Sequence, residues 1–116
     1  MSRQKQKGTL MESKAVVYLR GVLGESHDIR RVAPSGSRDE GDIHGLDSRG
    51  RTMIAEVKNC RRYEPKEWLR QAEAERANAG ADLGTVIFHV NGIGLDDMGS
   101  QGVLMTLGTF CKLIGG

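Results

Sequence analysis

The 116-residue chain has few of the residues that stabilise small exported or metal-cross-linked folds. Its two cysteines, Cys60 and Cys111, lie far apart and show no Cys-x-x-Cys or Cys/His spacing. Neither a disulfide framework nor a zinc site is therefore expected. The chain has no run of about 18 apolar residues, and its polar start lacks the apolar core of a signal peptide. These absences predict a soluble, cytoplasmic protein with reduced thiols and no membrane association.

Charge is nearly balanced, at a formal net value of +2, but it is unevenly distributed. Basic residues lead the chain within 1–8 and cluster again from Lys58 to Arg70, whereas acidic residues concentrate in 39–47 and 73–75. Basic clusters beside a site suit a polyanionic ligand such as nucleic acid. For any single cluster, a solvated charged face is the simpler interpretation.

The length and the apolar content of 38% predict one domain with one modest core, spanning residues 1–116. Residues 1–8 are expected to form a mobile basic arm. A chain of this size buries only about two-thirds of its unfolded surface, so dimerisation would help to stabilise it.

Hydrophobic spacing and turn residues predict an α/β fold in which helices flank a mixed central sheet, in the order α-β-β-β-α-β-β-α. Thr9 is a candidate N-cap of the first helix, Pro65 suits the first position of the second helix, and Gly80 ends it. Helices are predicted over 9–23 and 65–79, strands over 28–33, 42–47, 51–58, 84–90 and 103–106, a glycine-rich mobile loop over 91–102, and a terminal turn or helix over 109–113.

A predicted hairpin brings two carboxylates and a lysine together. A three-residue loop, Ser48-Arg49-Gly50, would place residue i opposite about residue 98 − i, and therefore Asp42 opposite Glu56. Glu56 and Lys58 are two residues apart and project from the same face of the sheet. Like charges that face each other destabilise a sheet, which indicates a bound cation or a functional role rather than two solvated strand positions.

The chemistry of these three side chains suits phosphodiester hydrolysis. Carboxylate oxygens of Asp42 and Glu56 can hold Mg²⁺, a hard cation that retains several waters. Lys58 can position or activate the attacking water, or stabilise charge on the phosphate. Glu12 shares a helix face with Val16 and is either a cap residue or a carboxylate that points toward the site.

The run Gly41-Asp42-Ile43 followed by Ala55-Glu56-Val57-Lys58 resembles the PD-(D/E)XK nuclease superfamily, whose fold is restriction-endonuclease-like. Gly41 departs from the pattern, because the family often has proline before the aspartate. Further motifs make the chain, over about residues 7 to 107, similar to the archaeal-type Holliday junction resolvases, which also occur in viruses. These motifs are Lys7-Gly8, Glu12 on the first helix, Arg31, and the loop Pro34-Ser35-Gly36-Ser37.

The resemblance implies a Mg²⁺-dependent endonuclease, with Mn²⁺ able to substitute, that resolves four-way DNA junctions as a homodimer. It implies Asp42 and Glu56 as metal ligands, Glu12 as the carboxylate that completes the site, and Lys58 as the catalytic lysine. The loop serine would be Ser35 or Ser37, with Ser37 slightly favoured for catalysis. Contacts to DNA are expected from Lys7, Arg31, Ser35, Arg61 and Arg62.

Two further side chains could support the site. His44 falls on the Asp42 face of its strand and could transfer a proton, although a structural role is the stronger expectation. Gln71 lies on the helix after the Glu-x-Lys strand, where many of these nucleases place a glutamine near the site. Two other functions stay open: a nuclease of the same class acting on flaps, ends or single strands, and a DNA-binding module without catalysis.

Overall fold

The computed structural model describes residues 3–24, 26–33 and 38–115, with backbone alone for residues 3–6. It has the predicted α/β class: a five-stranded mixed sheet with helices packed on it. The elements are α1 (Arg3–Leu23), β1 (Arg30–Arg31), β2 (Ile43–His44), β3 (Met53–Lys58), α2 (Pro65–Ala79), β4 (Leu83–Phe88), a 3₁₀ turn (Met98–Ser100), β5 (Gly102–Leu104) and α3 (Leu107–Gly115).

The strands lie in the sheet in their chain order, β1-β2-β3-β4-β5. β1, β2 and β3 pair antiparallel, and β5 pairs antiparallel with β4. β3 and β4 are parallel, in register from Met53 opposite Leu83 to Lys58 opposite Phe88. Parallel neighbours need a crossover, and α2 supplies it, as the sequence predicts.

Helices pack on opposite faces of the sheet because successive strand residues point to opposite sides. Met11 and Ala15 of α1 pack in one buried cluster with Ala55 and Val57 of β3. On the other face, Trp68 and Ala72 of α2 pack on Val86 of β4. Glu56 and Lys58 alternate with Ala55 and Val57, so their side chains project toward the α2 face.

Helix α2 has the bounds that its sequence signals predict. Pro65 occupies the first turn, where its missing N–H has no intrahelical partner to lose. Gly80 ends the helix in the left-handed conformation, with φ of 68°, which glycine adopts at no steric cost. Its inward face carries Trp68, Ala72 and Glu75, all buried.

The hairpin between β2 and β3 confirms the predicted register but not the predicted loop. Ser48 and Arg51 exchange backbone hydrogen bonds of 2.9 Å each around a two-residue turn. Arg49 and Gly50 both have positive φ there, 53° and 78°, as a tight hairpin turn requires. Ile43 pairs with Ala55, as the 98 − i rule demands. The register therefore shifts by one residue between Ile43 and the turn.

The glycine at position 45 lies in the segment where this register shift occurs. Its φ is 88°, and a Cβ there would lie 1.9 Å from the backbone oxygen of Asp28. Only glycine fits so close an approach without moving the backbone.

Several element boundaries differ from prediction. α1 begins at Arg3 rather than Thr9, so residues 3–8 are helical and the expected mobile arm is wrong over that range. Arginine, lysine and glutamine are good helix formers, which explains the extension. β1 and β2 have only two residues each, and the predicted loop 91–102 contains the 3₁₀ turn. Within the described ranges, no helix has the length and apolar character needed to cross a membrane.

Candidate metal centre

Carboxylates from three separate parts of the chain converge beside β3. Asp39, Glu56 and Glu75 each offer an oxygen, and these oxygens all lie within 4.8 Å of one another. Asp39 precedes β2, Glu56 lies in the middle of β3, and Glu75 comes from the third turn of α2. The site is therefore assembled by the hairpin and by the crossover helix together.

Glu56 is the most enclosed of the residues that the sequence predicts for the site. It is 8% exposed, and its Oε2 is buried without a hydrogen-bond partner among the described residues. Its Oε1 lies 3.5 Å from Nζ of Lys58, whose side chain is 20% exposed. The predicted pairing of Glu56 with Lys58 is thus present, and one carboxylate oxygen remains free for another ligand.

Asp42 lies beside Glu56, as the hairpin register predicts. Its backbone N–H donates to the oxygen of Ala55 at 3.0 Å, and its Oδ2 accepts from the N–H of Val57 at 2.8 Å. Burial, followed by the charge of Glu56, raises the pKa of Asp42 to about 8, although the Val57 hydrogen bond opposes the rise. Asp42 is close to the trio of Asp39, Glu56 and Glu75 but does not belong to it.

Glu75 is the main residue that the sequence interpretation missed. It is 4% exposed, and its Oε2 also lacks a partner in the described part of the chain. Burial raises its pKa to about 10, with further contributions from hydrogen bonding to Glu56 and from the charges of Glu56, Asp39 and Asp42. Trp68, Ala72 and Glu75 follow the i, i+4, i+7 stripe, which is the signal that could have found it.

The loop before β2 carries Asp39 into the cluster. Oδ1 of Asp39 accepts from the N–H of Gly41 at 3.0 Å, and its backbone oxygen accepts from Nδ2 of Asn78 on α2 at 2.9 Å. His44 Nε2 donates to the backbone oxygen of Glu40 at 2.6 Å. The sequence placed Asp39 only within the acidic segment 39–47, whereas its oxygen lies within 4.8 Å of those of Glu56 and Glu75 and could bind the same cation.

Glu12 is tied to a residue that the sequence predicts for DNA contact. Nε of Arg31 donates to Oε1 of Glu12 at 3.3 Å, and Nη1 of Arg31 donates to Oγ of Ser13 at the same distance. Burial raises the pKa of Glu12, the Arg31 guanidinium opposes the rise, and Glu56 and Asp39 add to it. Glu12 is thus close enough to Glu56 and Asp39 for their charges to affect its pKa, and it also forms an ion pair with Arg31.

The other side chains that the sequence predicts for the site differ in their exposure and in their hydrogen-bond partners. Gln71 lies one turn before Glu75 on α2; its Nε2 donates to Glu67 at 3.4 Å, and its Oε1 is buried and unpartnered among the described residues. Lys7, Arg61 and Arg62 are exposed. Ser35 and Ser37 lie outside the described residues.

The donor set fits a hard divalent cation. All candidate ligands are carboxylates, which suit Mg²⁺ or Mn²⁺. The buried, unpartnered oxygens of Glu56 and Glu75 are the atoms that such an ion would coordinate. Lys58 is the one cation seen to pair with Glu56 in the described ranges. A metal ion would therefore offset the burial and the mutual repulsion that raise the pKa values of Asp42 and Glu75.

Comparisons of the chain with protein-family models, with curated proteins and with solved structures return no match. The chemistry of the site is therefore inferred from its own residues.

Proposed function

We propose that the protein is a metal-dependent DNA endonuclease of restriction-endonuclease-like fold that resolves four-way junctions by paired nicks. The observation that carries this proposal is Glu56: a buried carboxylate with a free oxygen, paired with Lys58 and facing other carboxylates. A structural ion pair would need no additional buried acids around it, whereas a metal site does.

The topology supports the fold assignment. An antiparallel β1–β2–β3 unit is followed by a crossover helix and a parallel β4, with a helix on each face of the sheet. Asp42 at the start of β2 and Glu56-Val57-Lys58 at the end of β3 meet beside the crossover helix, which agrees with the site that the sequence motif implies.

Each side chain has a defined task in the proposed mechanism. Asp42, Asp39, Glu56 and Glu75 provide carboxylate oxygens for Mg²⁺ or Mn²⁺. When bound, that ion supplies a Lewis acid for the phosphate and lowers the pKa of a coordinated water. Lys58, held against Glu56, orients the nucleophile and neutralises charge that develops on the phosphate. Arg31 donates a hydrogen bond to Glu12 and so holds that carboxylate in place.

The junction specificity and the homodimer are parts of the same proposal. A four-way junction is two-fold symmetric, and a two-fold dimer presents two sites for paired nicks. Phosphate contacts by Arg31, Arg61, Arg62 and Lys7 would supply affinity with little base readout, so binding should weaken steeply with salt.

Cleavage of end-labelled four-way, flap, single-stranded and linear duplex DNA tests the function. We expect junction cleavage with Mg²⁺, none with EDTA, and symmetric nicks on opposing strands. Glu56→Gln and Lys58→Ala should abolish cutting but retain junction binding, whereas Lys66→Ala, on the exposed side of α2, should cut normally.

Other outcomes of this assay distinguish the remaining functions. Equal cutting of flaps or linear duplex would replace junction resolution with a broader nuclease activity. Binding without metal-dependent cutting by the native chain would leave a DNA-binding module. Unchanged cutting by Glu56→Gln would refute the assignment of the site.

A further inference from the structure

A cavity lies on the α1 side of the sheet, away from the α2 side that carries Glu56 and Glu75. It has a volume of about 640 Å³, within the range of about 300–1,000 Å³ that is usual for ligand pockets. It lies where the parallel strands β3 and β4 end, the edge at which α/β sheets commonly bind ligands. The residues that define its chemistry are Lys7, Leu10, Asn59, Arg61, Asn91 and Leu95.

This cleft adjoins the proposed catalytic lysine through the backbone. Asn59 directly follows Lys58 and continues the alternation of Val57, toward the α1 face. The N–H of His89, which also lines the cleft, donates to the backbone oxygen of Lys58 at 2.9 Å. A polynucleotide that crosses this end of the sheet could therefore contact the carboxylate site and the cleft together.

The charge of the cleft suits an anion. Lys7 and Arg61 line it, both are exposed, and no carboxylate of the described residues lines it. Neither cation takes part in an ion pair in the described part of the chain. Two unneutralised cations at one cavity favour a phosphate group.

The rim opposite Lys7 is held in place by hydrogen bonds. Nδ2 of Asn91 donates to the backbone oxygen of Arg61 at 2.8 Å, and the N–H of Asn91 donates to the hydroxyl of Tyr63 at 2.8 Å. Tyr63 in turn packs edge-on against Trp68 and Phe88. A preorganised rim loses little entropy when it binds a ligand.

The rest of the lining suits a nucleobase. Leu10 and Leu95 provide apolar surface for a ring. Asn59 donates through Nδ2 to the backbone oxygen of Lys7 at 3.2 Å, and among the described residues the side-chain oxygens of Asn59 and Asn91 accept no hydrogen bond. These oxygens can accept from a base edge.

We propose that this cleft binds one unpaired nucleotide of the DNA, with the phosphate on Lys7 and Arg61 and the base between Leu10 and Leu95. This inference rests on the proposed function only for the identification of DNA as the source of the nucleotide. A base inside a duplex is stacked and paired and must leave the stack to enter, which costs a few kcal/mol and least at a distorted site. The cleft would therefore favour branched over regular duplex DNA.

Nucleotide binding by metal-free protein in EDTA tests the cleft separately from catalysis. The probes are thymidine 5′-monophosphate, thymidine and inorganic phosphate. Binding of each at low salt is measured from the NMR shifts of the backbone amides. We expect the monophosphate to bind more tightly than either fragment and to shift the amides of Asn59, Arg61 and Asn91. Arg61→Gln should weaken binding of the monophosphate by about tenfold. Lys66→Gln, which removes an exposed cation that does not line the cleft, should not.

The Glu56→Gln variant separates this inference from the nuclease proposal, because it alters the carboxylate site and leaves the cleft intact. Nucleotide binding by that variant supports the cleft even if the native chain cuts no DNA. Four outcomes would each overturn the proposal: inorganic phosphate that binds as tightly as the monophosphate, amide shifts away from the cleft, equal losses of binding in Arg61→Gln and Lys66→Gln, or no binding at millimolar concentration. Circular dichroism of every variant checks that a loss of binding is not a loss of fold.

Discussion

Among single residues, Glu75 and Glu56 are buried carboxylates with a clear electrostatic cost, which Lys58 offsets in part at Glu56. An ionised carboxylate without a partner is expensive to bury, and each of these has an oxygen that accepts no hydrogen bond among the described residues. Burial raises the pKa of Glu75 to about 10, so protonation relieves the cost at this residue in metal-free protein, and a divalent cation would relieve it when bound. Protons and metal should therefore compete for the same oxygens.

The first prediction is that metal-free protein becomes less stable as pH rises from 5.5 to 8.5. Asp42 has a pKa of about 8 in the fold against an ordinary 3.8, and Glu75 about 10 against 4.5. Between the ordinary and the raised pKa of each group, the folded state binds more protons than the unfolded state. The free energy of unfolding therefore falls as pH rises. Urea unfolding in EDTA measures this fall.

The exposed carboxylates do not mask this effect. Glu67, Glu73 and Asp96 have lowered pKa values, because each accepts from a neighbouring cation, and their contribution is complete above about pH 5. A double variant, Asp42→Asn with Glu75→Gln, should flatten the pH dependence. Stability that rises toward pH 8.5 in native protein would contradict the assignment of the cluster.

The second prediction concerns Glu75 alone. Glu75→Gln keeps the volume and needs no proton uptake on folding, so metal-free protein should gain stability at pH 8.5 while Mn²⁺ affinity falls by about tenfold or more. Glu73→Gln is the matched control, since it lies on the same helix but pairs with Arg76 on the exposed side. Isothermal titration with Mn²⁺ and urea unfolding measure the two effects. Unchanged Mn²⁺ binding would exclude Glu75 as a ligand.

At the scale of elements, the position of Glu75 depends on how closely α2 packs on β4. A Cβ at Gly84 would lie 2.8 Å from the backbone oxygen of Ala72 and 3.1 Å from Cβ of Arg76. Gly84→Ala should therefore push the helix outward, with a loss of about 1–3 kcal/mol in unfolding free energy and weaker Mn²⁺ binding.

Gly94→Ala is the control for this third prediction, because nothing lies within 4 Å of a Cβ at that position. It should change neither stability nor metal binding measurably. Equal stability of the Gly84 and Gly94 variants would show that α2 can move away from β4 without cost, and that the helix does not hold Glu75 rigidly.

The same elements show which features a sequence can reveal. The bounds of α2 were predicted because proline and glycine mark its ends. Asp42 fell beside Glu56 because a one-residue register shift offsets the turn, which is one residue shorter than predicted. Glu75 was missed because a helix rich in alanine, glutamate and arginine resembles a solvated one. Its burial depends on Gly84 and on the crossover to β4, which are tertiary facts. β1 and β2 are too short for periodicity to define.

For the whole molecule, the distribution of apolar surface bears on assembly. β5 is an edge strand, and α3 follows it. Leu107, Phe110 and Ile114 lie on one stripe of α3 at i, i+3 and i+7, and all three are exposed, Leu107 to 76%. Exposed apolar surface of this kind suits an interface, and a second copy is the partner that the proposed paired nicking would require.

The fourth prediction is that the chain sediments as a dimer, at twice its 12.7 kDa, through this stripe. Phe110→Asp would place a charge in the proposed interface and should give monomers with unchanged helix content, because the side chain is 45% exposed and belongs to neither buried cluster of the described residues. Val17→Asp, at a still more exposed apolar position on α1, should remain dimeric. Since paired nicks need two coupled sites, the Phe110→Asp monomer should nick a junction once and release few linear products. A native chain that sediments as a monomer at micromolar concentration, or a Phe110→Asp dimer, would show that another surface, or none, joins two copies.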